Sequence, residues 1–279
     1  MNTHTTRGLS LLAALLSLTT APSAQTSVPS SHADSAPAGH GVATDAHPWV
    51  VVPMQARDPV NYITNLRDGQ KLESPFVLKF GLTRQGLASI SEEVQGAGHH
   101  HLLINRDLPL DFTKPLPFND QYLHFGKGQM EAVLNLKPGT YRLRMLLANH
   151  KHIPYFIYSP AITVQVTQQR ASVKPESLLR KGVSLLTPQP GDVVKRPFRV
   201  QMHASGLNIS HTQIRDKASG HFQLLMKGPN GAETLDFNHG HTEAWVKPPA
   251  GTYQLRLQYV NNATLQVSHE TPWQTLTVQ

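Results

Sequence analysis

Five histidines between residues 99 and 152 have the types and spacing of metal ligands. His99 and His101 flank His100 in the run Gly98-His99-His100-His101-Leu102-Leu103-Ile104. Alternate residues of a strand share a face, so His99 and His101 should point together and His100 away from them. His124 precedes Phe125-Gly126-Lys127-Gly128, where two glycines suit a tight turn. His150 and His152 are again two apart, and they share a face if the strand through Leu146 continues that far. Three such segments, meeting at one end of a β-domain, would converge several imidazoles. Neutral imidazole is a common metal ligand, and three or four of its nitrogens suit Zn(II) or Cu(II). With no Cys in the chain and no Met cluster, soft Cu(I) is less favoured. A site of this kind should lose affinity as pH falls through about 6.5, because imidazolium cannot ligate.

The same residues admit a structural reading. A histidine beside a turn commonly serves as a hydrogen-bonding residue, and His99 recurs in a second copy as His221. A smaller cluster, His239-Gly240-His241, lies near His221 and Asp236 in that second copy and lacks most of the first set. Catalysis has less support. The absence of Cys removes thiolate chemistry, Cys-ligated zinc and iron–sulfur clusters together. Ser89, Ser91, Glu92, Glu93 and Glu131 have no nucleophile motif around them. The chain therefore reads as a binding protein and not as an enzyme.

The elements that must position these side chains are strands, arranged as an internal repeat. Residues 69–104 align with 191–226 without a gap, and 124–166 align with 236–278. Gly98 then meets Gly220, Glu131-Ala132 meets Glu243-Ala244, and Gly139-Thr140-Tyr141 meets Gly251-Thr252-Tyr253. Within each copy, short runs with partial alternation (Phe76 to Phe80, Tyr141 to Leu147, Phe198 to Met202, Tyr253 to Tyr259) are separated by Asp-Gly, Pro-Gly and Asn-Gly turns. That pattern predicts an all-β chain of two tandem immunoglobulin-like β-sandwich domains. The expected divisions are 1–24 signal peptide, 25–60 flexible leader, 61–168 His-rich domain, 169–182 linker and 183–279 diverged domain.

The start of the chain carries an address. Arg7 precedes an apolar run from Leu9 to Leu18, and small residues Ala21, Ser23 and Ala24 follow, which is the layout of a signal peptide. No Cys follows the run, so no lipid anchor is expected, and no later segment has the length of a membrane span. The expected location is periplasmic or secreted. Residues 25–46, rich in Ser, Ala, Pro and Gly, read as leader, while His47 to Pro53 (HPWVVVP) should add an edge strand or pack on the first domain. Twenty-five Lys and Arg against 18 Asp and Glu give a net charge of +7. These cations are scattered, which argues against nucleic acid and fits a loosely cationic envelope protein. Partners are then a metal ion or, with the histidines structural, an envelope protein or polysaccharide contacted through the loop Asp107 to Gln121.

At the histidine motifs the sequence resembles the bacterial family known as domain of unknown function 4399. The shared features are the GHHHLLI strand followed by Asp107-Leu108-Pro109, the HFGxGQ turn at His124 to Gln129, and the Pro138 to Pro154 element with its closing histidine. The second copy matches in its framework, keeping Gly220-His221 and Gly251-Thr252-Tyr253. The resemblance implies exported small β-domains and assigns no chemistry.

Overall fold

The structure is a computed structural model and describes residues 47–109 and 111–279. The signal peptide read over 1–24, and the leader as far as Ala46, lie outside the described residues. No α-helix occurs among the described residues, which form strands and two short 3-10 turns, at Met54–Ala56 and Pro175–Leu178. The second of these lies in the predicted linker. No described helix is long and apolar enough to cross a membrane.

The strands are β1 (Val50–Val51), β2 (Asn61–Ile63), β3 (Gln70–Ser74), β4 (Phe76–Leu82), β5 (Gly86–Leu87), β6 (Ala97–Ile104) and β7 (Tyr122–Phe125). They continue with β8 (Glu131–Leu134), β9 (Gly139–Ala148), β10 (Pro154–Tyr158), β11 (Ile162–Gln169), β12 (Gly182–Thr187), β13 (Val193–Val194) and β14 (Phe198–Ser205). The last are β15 (Asn208–Ile209), β16 (Ser219–Gly228), β17 (Gly231–Asp236), β18 (Glu243–Val246), β19 (Gly251–Asn261), β20 (Val267–Glu270) and β21 (Gln274–Val278). In the first domain β2-β4-β8 face a larger sheet ordered β3-β11-β9-β6, which β7 extends and β10 flanks. In the second, β12-β14-β18 face β13-β21-β19-β16, with β17 and β20 in the corresponding places. Each strand from β2 to β11 thus has its repeat mate ten strands later.

This is an immunoglobulin-like sandwich in both copies. The first strand of each large sheet runs parallel to the last, β3 to β11 and β13 to β21. Each copy also closes its corner with a tyrosine. Tyr141 donates to the Lys137 carbonyl at 2.9 Å and Tyr253 to the Pro249 carbonyl at 2.9 Å, each four residues upstream at the entry to β9 or β19. The cores follow the period-two pattern: Leu78, Phe80, Leu102, Leu143, Met145 and Val164 fill the first, and Val200, Phe222, Leu224, Leu255 and Leu257 the second, all essentially unexposed. Burying each such side chain contributes about 1.5–3 kcal/mol, enough to stabilise a domain of this size without disulfides.

The HPWVVVP segment does form an edge strand, but on the second domain: Val50 and Val51 of β1 pair with Val246 and Trp245 of β18. The two sandwiches pack through repeat-related contacts. Leu87 N donates to Gly240 O at 2.8 Å, and its mate Ile209 N donates to Gly128 O at 2.9 Å. Backbones approach so closely that a Cβ on Gly128 would lie 1.9 Å from Ile209 O, and Gly128 also has φ +86°. Two buried carboxylates flank this seam. Glu131 accepts from His203 Nε2 (3.0 Å), Ser205 Oγ (2.5 Å) and Gly206 N (3.0 Å). Glu243 accepts from Tyr62 Oη (2.5 Å) and from Arg199 Nε (3.0 Å).

Candidate metal centre

His99 and His101 lie on β6, with 1% and 0% of their surface exposed. Strand alternation sends both to the same face and puts His100 on the other, where it is sealed against Phe80 with ring centroids 4.7 Å apart. His124 comes from β7, directly opposite His101 in the antiparallel register. Its ring lies over Gly126, where a Cβ would stand 2.3 Å from His124 Cε1, so a glycine is required for the ring to occupy this place.

His152 arrives from the turn between β9 and β10. The strand through Leu146 ends at Ala148, and the expectation that His150 and His152 continue it on a common face is corrected by the turn that follows. Asn149 Oδ1 accepts from Lys151 N at 2.9 Å and Ile153 N at 3.0 Å, and His152 N donates to Asn149 O at 2.8 Å. His152 itself has φ +62°, a left-handed conformation uncommon outside glycine and frequent at functional sites. This turn swings His152 into the cluster and His150 away from it, toward Glu93, with Nε2 3.8 Å from Oε2.

Of the five residues picked from sequence, four therefore converge: the nearest ring nitrogens of His99, His101, His124 and His152 all lie within 4.8 Å of one another. His99 Nε2 is 2.9 Å from His101 Nε2 and 3.3 Å from His152 Nδ1. Four nitrogens arranged tetrahedrally about a zinc-sized ion, at the usual bond length, are separated by about 3.3 Å. Imidazoles buried in this way are normally hydrogen-bonded to protein, yet His99 Nδ1, His101 Nδ1 and His124 Nε2 are buried without a partner. Burial and then the neighbouring imidazoles push His99 down to about 2, and burial with His124 and His152 pushes His101 to about 3. Burial also lowers His124 and His152, each with a further contribution from a neighbouring histidine. All four rings are neutral at pH 7 and offer lone pairs. They remain so below 6.5, lower than an isolated histidine would.

Phe118, on the loop 105–121, covers the cluster. It is 62% exposed and meets His124 and His152 edge-on, at centroid distances of 5.3 and 4.7 Å. The same loop is tied down where Leu116 N donates to His152 O at 2.9 Å. Phe118 was not picked out from sequence, since an aromatic in a long Pro-containing loop carries no spacing signal.

The second copy tests the arrangement by its differences. His221, the mate of His99, has Nδ1 2.8 Å from Asn262 Oδ1 and Nε2 3.1 Å from Asp236 Oδ1. Asp236 and Asn262 occupy the places of His124 and His150. Here a histidine–carboxylate pair closes what is an open set of ring nitrogens in the first copy.

The family model described as "Domain of unknown function (DUF4399)" matches residues 78–167 and again 200–279. The chain belongs to the DUF4399 family. It carries two DUF4399 copies, and the four-histidine cluster falls wholly within the first. No curated protein matches the chain in sequence. Among solved structures, the fibronectin(III)-like modules of Clostridium thermocellum CbhA share 12% identity over 78% of this chain and 93% of theirs, with a TM-score of 0.26. Chicken CNTN1 FN1-FN3 domains share 12% over 76% of this chain and 65% of that one, with a TM-score of 0.24. Latent PorU from Porphyromonas gingivalis shares 12% over 81% of this chain and 21% of that one, with a TM-score of 0.28.

Proposed function

We propose that this DUF4399 protein is an exported metal-binding module that holds one Cu(II) or Zn(II) ion through His99, His101, His124 and His152. The observation that carries the reading is the convergence of four ring nitrogens within 4.8 Å. The cluster-facing nitrogens of His99 and His101 meet only other histidines, and a bound cation would use the lone pairs that the fold collects here. Four protein ligands fill a tetrahedral shell and leave no position for an activated water, which suits holding or carrying an ion rather than hydrolysis. His150 is outside this ligand set. The signal-peptide layout supports delivery to the periplasm or beyond, where copper or zinc would be met.

The test is calorimetric titration of the chelator-stripped, untagged protein with Cu(II) and with Zn(II), beside His101→Ala and His150→Ala variants. Near-stoichiometric binding that His101→Ala abolishes and His150→Ala leaves intact is the expected result. Weak binding unchanged in both variants would reject the metal reading. It would leave an envelope module, whose histidines serve the fold and whose loops contact a protein or polysaccharide.

A further inference from the structure

Away from the histidine cluster, a cavity of about 90 Å³ lies where β1, the first domain and the β17–β18 segment meet. Val50, Val51, Ala56, Ala244 and Trp245 supply its apolar walls. Its polar lining is unevenly committed. Asp236 is engaged by His221 at 3.1 Å, and Glu243 by Tyr62 and Arg199. Each carboxylate is thus answered by its own partner. Arg84 is different: its guanidinium donates to the Arg57 carbonyl and has no carboxylate partner among the described residues. His241 also faces the cavity, and its ring nitrogens hold no hydrogen bond among the described residues. His211 is not free in this way, and His239 is free only at Nε2, which is buried without a partner. Gln213 N donates to His211 Nδ1 at 2.9 Å. A backbone N–H can only donate, so neutral His211 carries its proton on Nε2 and gives it to His239 Nδ1, 2.8 Å away. That fixed proton order leaves His211 without a lone pair for a metal ion.

The surplus therefore consists of one cation, one free imidazole and the unpartnered His239 Nε2–H above an apolar floor, which complements a carboxylate with a small apolar body. We propose that this cavity binds a short-chain monocarboxylate, its carboxylate toward Arg84 and His241 and its tail against Val51 and Trp245. Size limits the ligand: an apolar cavity of about 150 Å³ accepts the six carbons of benzene, so one of about 90 Å³ encloses a tail of about three carbons and not an aromatic ring. Burial, then His239 and His211, push His241 down to about 4, so at neutral pH it can donate or accept one hydrogen bond without adding charge. The proposal is independent of the metal reading, since none of the four clustered histidines lines the cavity.

The experiment is calorimetric titration of the full chain with butyrate, butyramide and benzoate, repeated on Arg84→Gln and on Ala56→Phe, which fills the space. Butyrate should bind saturably with a Kd on the order of 1 mM. Butyramide and benzoate should be at least tenfold weaker, and each variant should lose butyrate binding tenfold or more without a change in melting temperature. The proposal is overturned if butyrate gives no saturable heat, if butyramide binds as well as butyrate, or if both variants bind butyrate as the parent does.

Discussion

His221 Nε2 stands 3.1 Å from Asp236 Oδ1, the two residues being the second-copy mates of His99 and His124. Burial opposes the charged imidazole, but the hydrogen bonds to Asp236 and Asn262 and the Asp236 charge outweigh it, and the His221 pKa is raised. A folded-state pKa above the unfolded value contributes stability that is fully present below about 6.5 and is lost as pH rises through the raised value. Asp236→Asn should therefore destabilise the protein more at about pH 5.5 than at about pH 8.5. Because Asp236 is 43% exposed, the difference should stay under about 1 kcal/mol. Urea unfolding of both proteins at the two pH values measures it. Gln223→His with Asp236→His would rebuild three of the four ligand positions, and metal stoichiometry should then rise from one to two.

Gly126 and Asn149 hold histidines of the cluster in place without belonging to it. A Cβ at Gly126 would stand 2.3 Å from His124 Cε1 and 2.4 Å from its Nε2. Gly126→Ala should push that ring from the cluster and weaken metal binding tenfold or more, equivalent to about 1.4 kcal/mol. Asn149→Ala removes the acceptor for Lys151 N and Ile153 N. It should free the turn that carries His152 and act in the same direction. Affinity and melting temperature of the metal-free protein, measured together, separate this from a general loss of fold: the first should fall far more than the second.

Much of this was legible in the residues. Alternation of Phe76, Leu78 and Phe80, and of Leu143 and Met145, gives the strands and their buried faces. The gapless alignment of 69–104 on 191–226 gives the repeat, and with it the sandwich in duplicate. The common face of His99 and His101 is legible because strand spacing fixes sides, whereas the glycines after His124 show a turn and not the strand that sets it opposite His101. The turn at 149–152 was not, because Asn149 ends the strand through side-chain bonds to its own backbone, and Asn-His-Lys-His gives little sign of that. The destination of β1 was hidden too, since pairing of Val50 with Val246 joins residues nearly 200 positions apart. Gly128 reads as a turn residue, and it is one, but its closer constraint is the opposing domain's backbone.

Phe118 is half in water while its ring edges His124 and His152, a placement that shields the cluster without ligating it. Phe118→Ala should leave metal stoichiometry at one and speed release to a chelator several-fold, because the outer side of the two rings is opened to water and competitor. Stopped-flow transfer of Zn(II) to a chromogenic chelator measures this. An unchanged release rate would show that the ion leaves by another face.

The seam between the domains should be as sensitive as a core position. Gly128 has φ +86°, and a Cβ there would meet Ile209 O at 1.9 Å, backbone against backbone, with no flexible side chain to yield. Gly128→Ala must then either strain the turn or part the pair Ile209 N to Gly128 O, and the loss should be on the order of 3 kcal/mol. Glu131→Gln tests the same seam by chemistry. Burial works against the Glu131 carboxylate, but His203, Ser205 and Lys79 hold its pKa below the usual range. The stability it contributes is present above the ordinary carboxylate pKa and is lost as pH falls through the lowered one. The variant should be destabilised at neutral pH and approach the parent in acid, and its melt should broaden or split as the two sandwiches uncouple. A single, equally steep transition for both variants would show instead that the domains unfold together even with the seam weakened.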